Sequence, residues 1–394
     1  MLKLKIEGSS RLKSIGSYAF ADVDRLVDKL KEEGIIPTDF GVGDPKDPTP
    51  EFIRKAAKEA IDKYKSSGYP SYIGSVEYRE TIQEWYKKRF NIDLDPEKEI
   101  GSTIGSKEAI FNFHESIINP GDIVLIPNPG YPPYERGTIF AEGVPYFLPL
   151  LEENNFLPDF KNIDQKIIKK VKLIWINYPN NPTAAMAPEK FFKEVIDFAY
   201  DNNIVIGSDE AYTENYYNEK PRSILEFTRE NVIVFHSLSK RSNMTGYRVG
   251  WVAGDENVVS LFKKVKTNID SGTPRFIQEA AIAALKDEEH VKKMRELYAI
   301  KRDTMIDAFT KIGLPKCIPK ATIYIWQKVP EGMNSVDFAK KLLSEKIAIV
   351  CTPGAWISRE FNGINPGEKF VRFALVPTVE ATKQAAIRLI ENYN

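Results

Sequence analysis

The sequence predicts an α/β protein with a mainly parallel central sheet and a second, smaller α+β region. Three observations carry that prediction. Between about residues 100 and 255, short runs of consecutive apolar residues alternate with helix-length segments. Such runs suit strands covered on both faces, and strand–helix–strand alternation suits parallel pairing with helices on either side. After about residue 280 the rhythm changes to a long helical pattern, two strand-like runs and a closing helix. Finally, 394 residues are too many for one core at roughly 150 residues per domain. We expect residues 1–45 to form an arm and part of the small domain, 46–280 the large domain and 281–394 the C-terminal small domain.

The elements follow in order. The first 17 residues are polar and read as an arm. Phe20, Val23, Leu26, Val27 and Leu30 recur at helical spacing, and Gly34 is placed to end that helix. GVGDPKDPTP (41–50) concentrates turn formers and reads as a loop. Phe52, Ile53, Ala56, Ala57 and Ala60 then mark one face of a helix. IVLI (123–126), VKLIWI (171–176), IVIG (204–207), VIVF (232–235) and VGWVAG (249–254) read as strands, with a helix over 188–203 between two of them. A helix over roughly 288–312 ends at IGLP, ATIYIWQKV and IAIV read as strands, and the last helix carries Ala381, Ala385, Ile387 and Ile390.

Composition narrows the function. Lys+Arg and Asp+Glu are both 55, so the formal net charge is zero, which argues against a nucleic-acid or anionic-membrane binder. Two cysteines, Cys317 and Cys351, exclude a disulfide framework, and with three histidines they leave no metal site to expect. No stretch reaches about 18 uncharged apolar residues and the first residues lack a signal-peptide core, so we expect a cytoplasmic protein.

In parallel sheets ligands bind beyond the carboxyl ends of the strands. There the sequence places PNPGYPPY (127–134), NYPNNPTA (177–184), SDEAY (208–212) and HSLSKRSNMTGYRVG (236–250). Each fragment has an ordinary reading. Asp209 could cap a helix, Lys240 could be solvated, NNP is a common turn and Tyr131 could simply pack. Together they deliver an acid, a lysine, an asparagine and an aromatic to one rim. Pyridoxal phosphate needs that set. Its aldehyde condenses with a lysine amine, its ring nitrogen needs a carboxylate, its phosphate needs an arginine, hydroxyls and a helix N-terminus, and its ring face needs an aromatic.

SLSKRSNMTGYRVG resembles the lysine signature of the class I/II aminotransferases, the fold-type I pyridoxal-phosphate enzymes. GVGDP, GYPSYIG, GSKEAI, NPGYPPY, NNPTA, SDEAY and VRFAL occur in the family's order over nearly the whole chain. The resemblance implies that Lys240 is the Schiff-base lysine and proton carrier, and that Asp209 pairs with the ring nitrogen. Asn181 and Tyr212 would bond the phenolate oxygen and Tyr131 would stack on the ring. Arg248, Ser237, Ser239 and the turn Gly105, Ser106 and Lys107 would hold the phosphate. Tyr69 would reach the phosphate of a neighbouring subunit, which implies a homodimer with shared sites, and Arg372 would grip the substrate α-carboxylate under the backbone near Gly43.

Ala184 replaces the glycine of the family's NPTG turn, so a locally altered turn is expected there. His236 is read as a buried, satisfied imidazole rather than a phosphate contact, and His114 and His290 as structural. KKVK (263–266) is read as a solvated helix face. SGYPSYIG, NPGYPPYERGT and NIDSGTPRFIQ most resemble the aminotransferases acting on LL-diaminopimelate, which implies exchange with 2-oxoglutarate in lysine biosynthesis. Asp270, Arg275, Glu135 and Lys107 are candidates for the distal end of that substrate, and Tyr72 stands where plant-type relatives carry a substrate-binding glutamate. A general aspartate, alanine or aromatic aminotransferase and a C–S β-lyase remain alternatives. A fold-related DNA-binding regulator is disfavoured by the absence of a basic helix–turn–helix before the resembling region.

Overall fold

The structure is a computed structural model that describes residues 6–15 and 21–393, with the backbone alone for 21–24. The expected helix appears as Ala21–Glu32, and Gly34 follows at φ +80°. Phe20 and the side chain of Val23 lie outside the described residues. The chain then forms β1 (Thr38–Asp39) and the loop 41–50 before reaching the larger sheet.

That sheet contains β2 (Ile100–Thr103), β3 (Ile123–Asn128), β4 (Val144–Pro149), β5 (Val171–Asn177), β6 (Val205–Asp209), β7 (Val232–Ser237) and β8 (Gly250–Gly254). Their order is β2-β8-β7-β6-β5-β3-β4. β8 runs antiparallel to both its neighbours, and the other pairings are parallel. The five expected strands are present. β2 and β4 were not expected, and both are edge strands with weak local signals. IGST has one large apolar residue, and VPYFLP carries two prolines, which an edge tolerates because no second partner needs their N–H.

Helices cover both faces, as the parallel pairing requires. One face buries Trp85, Ile174, Ile176, Phe192 and Trp251, and the other buries Phe113, Val124, Trp175, Phe235 and Phe262. Alternation along VKLIWIN sends Ile174 and Ile176 to the first core and Leu173 and Trp175 to the second.

The remaining strands are β9 (Tyr324–Lys328), β10 (Ile349–Val350), β11 (Thr352–Pro353) and β12 (Phe370–Ala374). β1 pairs with β10, and β11-β12-β9 form an antiparallel sheet. A separate core of Met305, Phe309, Ile325, Phe338, Phe373 and Leu389 joins this sheet to the helices Glu289–Lys311, Ser335–Leu342 and Val379–Asn392. Leu30 packs on Leu343 and Val350, so the first long helix belongs to this second unit. In the last helix Ala385 is buried but Ile387 is 46% exposed, and Ala386 and Leu389 fill the face that Ile387 was expected to share. Among the described residues no helix is long and apolar enough to cross a membrane, and no group of side chains could hold a metal ion.

Candidate active site

The carboxyl ends of β5, β6 and β7 lie in register, Asn177 beside Asp209 and Asp209 beside Phe235. Because β8 is antiparallel, its start returns to the same rim, with Gly250 paired to both Ser237 and Thr103. A cavity of about 620 Å³ opens there. Gly43, Ser106, Lys107, Tyr131, Asn181, Asp209, Tyr212, Ser237, Ser239, Lys240, Arg248 and Arg372 all line it. A second hollow of about 620 Å³, beside the helix Glu189–Asp201, is lined by Leu157, Phe160, Phe191 and Phe198, and its charged residues are all exposed. Volume alone does not choose the site; chemistry does.

Asp209 ends β6 and is buried. Its Oδ2 accepts from Tyr134 Oη at 2.7 Å and its Oδ1 from the Ala211 N–H at 3.2 Å. Burial pushes its carboxyl up to about 6, and those two hydrogen bonds oppose the rise. Lys240 stands in the short helix Leu238–Arg241 that follows β7, and its ammonium donates to the Gly43 carbonyl. Burial pushes this lysine down to about 8; Asp44 opposes that shift, while Arg372 and Arg248 add to it. A depressed lysine in a cleft is a candidate nucleophile.

Arg248 takes a left-handed conformation, φ 52°, and donates to the carbonyls of Thr245 at 2.8 Å and Ile104 at 3.4 Å. Gly105 caps the helix Ser106–Ile117 at φ +79°, and a Cβ there would lie 2.4 Å from Arg248 Nη2. Only glycine brings this helix N-terminus so close to the guanidinium, and the result is a cradle for an anion. Ser237 Oγ donates to Ser239 Oγ at 2.9 Å beside it.

Arg372 reaches in from β12. Its Nη1 donates to Asn181 Oδ1 at 3.1 Å and its Nη2 to the Gly41 carbonyl at 2.8 Å, while its buried Nε has no partner. With the amide oxygen of Asn181 so engaged, the amide nitrogen remains as that residue's donor. Tyr212 Oη meets Tyr324 Oη at 2.9 Å, and the Tyr324 ring lies 4.8 Å below the Arg372 guanidinium. A Cβ at Gly43 would lie 2.2 Å from Tyr324 Oη, so that glycine is required for the loop to close down.

Across residues 35–389 the sequence matches the family model for aminotransferase class I and II. The chain belongs to the class I and II aminotransferases. The LL-diaminopimelate aminotransferase of Aquifex aeolicus is 46% identical over 388 residues, 97% of this chain and 98% of that protein. The enzyme of the same name from Halothermothrix orenii is 46% identical over 98% of both chains. Among solved structures, an aminotransferase from Neisseria meningitidis has a TM-score of 0.90 at 33% identity over 98% of this chain and 100% of that one. Substrate-bound BacF from Bacillus subtilis gives 0.90 at 32% identity over 98% of both chains.

The cofactor of class I and II aminotransferases is pyridoxal phosphate, and the residues of this chain fit it. The cradle at Gly105 and Arg248, the buried carboxylate, the depressed lysine and the unpartnered Arg372 Nε are the donors and acceptors that such a group and its substrate need.

Several expectations need correction. Ala184 adopts φ 59° in a buried turn, so the alanine accepts the glycine-type conformation instead of altering it. His236 is buried and stacked on Trp251, with centroids 4.9 Å apart, but it is not fully satisfied. Its Nε2 has no hydrogen bond and faces Glu210 Oε2 at 3.6 Å. Lys266 of KKVK is not solvated at all, being 0% exposed. Of the four distal candidates only Lys107 lines the cavity. Asp270 pairs with Lys266, Arg275 with Glu77 and Glu135 with Arg359. Tyr69 and Tyr72, 89% and 42% exposed, do not line the cavity of their own chain.

Sequence reasoning missed Tyr134 and Tyr324. Tyr134 lies one helical turn beyond Tyr131, at the spacing that brings two side chains to one side, and that signal was available. Tyr324 comes from β9 in the other sheet, and no local signal marks it.

Proposed function

We propose that this chain transfers an amino group between LL-diaminopimelate and 2-oxoglutarate, as a step in lysine biosynthesis. The observation that carries the substrate is the 46% identity, over nearly full length, to enzymes named for it. Pyridoxal phosphate supplies an electrophilic aldehyde and an electron-withdrawing ring. Arg372 binds the substrate α-carboxylate, its guanidinium held in place by Asn181 and the Gly41 carbonyl. Lys240 would condense with that aldehyde and, once free, its amine would accept the proton from the substrate Cα. Asp209, held by Tyr134, would pair with the ring nitrogen and sustain its charge. Lys107 stands at the cavity as a cation for a distal carboxylate.

We further propose a cytoplasmic homodimer in which the exposed Tyr69 and Tyr72 of one subunit serve the site of the other. Within each subunit, residues 46–280 would form the large domain, and 1–45 with 281–394 the small one. Sedimentation should give twice the 44.8 kDa mass of the chain.

The absorbance of the holoenzyme tests the substrate as single amino acids are added. Conversion of a band near about 420 nm to one near about 330 nm by LL-diaminopimelate, and not by aspartate, alanine or tyrosine, is expected. Equal conversion by all of them would replace this reading with a general aminotransferase. Pyruvate and ammonia released without an oxo acid would indicate a β-lyase.

A further inference from the structure

Lys266 stands in the last turn of the helix Glu256–Ile269, outside the cavity, and is fully buried. A lysine is almost never fully buried without a partner. Its Nζ donates to both oxygens of Asp270, at 2.8 and 2.7 Å, and lies 3.8 Å from Glu108 Oε2. The two carboxylates spend their remaining capacity on backbone and on Asn112. Glu108 Oε2 accepts the Ile104 N–H at 3.0 Å and Oε1 accepts from Asn112 Nδ2 at 2.9 Å. Asp270 Oδ1 accepts the Gly272 N–H at 2.7 Å.

Both routes lead to functional segments. The Ile104 carbonyl accepts from Arg248 Nη2, and Gly105 follows in the anion cradle. Gly272 packs against the turn that carries Tyr69 and Tyr72, so closely that a Cβ would lie 2.6 Å from the Ser71 carbonyl oxygen. Burial raises the Glu108 carboxyl, and the Lys266 ammonium opposes that rise.

We infer that Lys266 is a positioning residue for the cofactor phosphate, acting through Glu108 on the backbone of the Ile104–Gly105 turn. The ammonium favours the charged form of Glu108 and holds it in place. That carboxylate fixes the peptide that precedes the cradle. Without the ammonium, the half-buried Glu108 loses its counter-charge, and the charge-assisted hydrogen bond to the Ile104 N–H weakens.

The test is titration of the full chain, stripped of cofactor, with pyridoxal phosphate and with pyridoxal, which lacks the phosphate. For Lys266→Met the Kd for pyridoxal phosphate is expected to rise at least about tenfold while that for pyridoxal stays within about twofold. An unchanged Kd for the phosphate form, or equal losses for both ligands, would overturn the inference. Glu108→Gln keeps an oxygen for Ile104 but not the charge and is expected to show a smaller phosphate-specific loss than Glu108→Leu, which removes both. This pair also decides the matter if Lys266→Met does not fold, because equal behaviour of Gln and Leu overturns the route through Ile104. The inference rests on the family's cofactor, which the unsubstituted protein, titrated in parallel, tests separately.

Discussion

Burial shifts two residues of the cavity toward neutrality from opposite directions. Burial lowers Lys240 to about 8, so in the cofactor-free protein its neutral, nucleophilic form grows as pH rises through that value. The rate at which the protein takes up pyridoxal phosphate should therefore rise to a plateau just above pH 8. A rate still climbing at pH 10 would show an ordinary lysine. Burial raises Asp209 to about 6, and its ionised form exists above that pH. Tyr134→Phe removes the donor at 2.7 Å, so the carboxyl should rise further. The acid limb of cofactor binding should move up in pH, and affinity near neutrality should fall by about tenfold. A superimposable pH profile would refute the role given to Tyr134. The placement of Lys240 and Asp209 at one cavity was legible because Asp209 ends one contiguous apolar strand and Lys240 stands in the short helix that follows another. Lys266 was misread because a run of lysines carries no sign of the carboxylates, Asp270 and Glu108, that meet it after folding.

At the scale of elements, the turn between β2 and the helix Ser106–Ile117 brings a helix N-terminus to Arg248. Gly105→Ala would force an L side chain to φ +79° and push its Cβ into Arg248. A loss of about 1–3 kcal/mol of stability is expected from the backbone alone. Thermal unfolding with and without pyridoxal phosphate would measure it, and an unchanged midpoint would show that the turn yields without cost. The strands that hold this turn were unevenly visible in the sequence. β3, β5, β6 and β7 are covered on both faces and read as apolar blocks, as does β8. β2 has a paired neighbour on one side only, and its Gly-Ser-Thr ending is selected by the turn it feeds rather than by strand propensity.

At the scale of the whole molecule, the loop 41–50 joins the two units. Thr49 Oγ1 donates to the Asn243 carbonyl on the large-sheet side, and Asp47 pairs with Lys301, which is 0% exposed on the long helix Glu289–Lys311. Asp47→Asn would strand a buried ammonium and is expected to cost about 3 kcal/mol, read as a lower urea midpoint. An unmoved midpoint would show that the pair contributes nothing net. The antiparallel return of β8 has its own consequence. Lys240 and Arg248 lie on the link between adjacent strands of one sheet and both line the cavity, so the residues between them form a ruler that sets the spacing of the two side chains. Its composition is free at Gly246, where an added Cβ meets nothing within 4 Å, but its residue count is not. Alanine at 246 should be silent in cofactor titration, whereas one inserted residue should uncouple the nucleophile from the phosphate anchor.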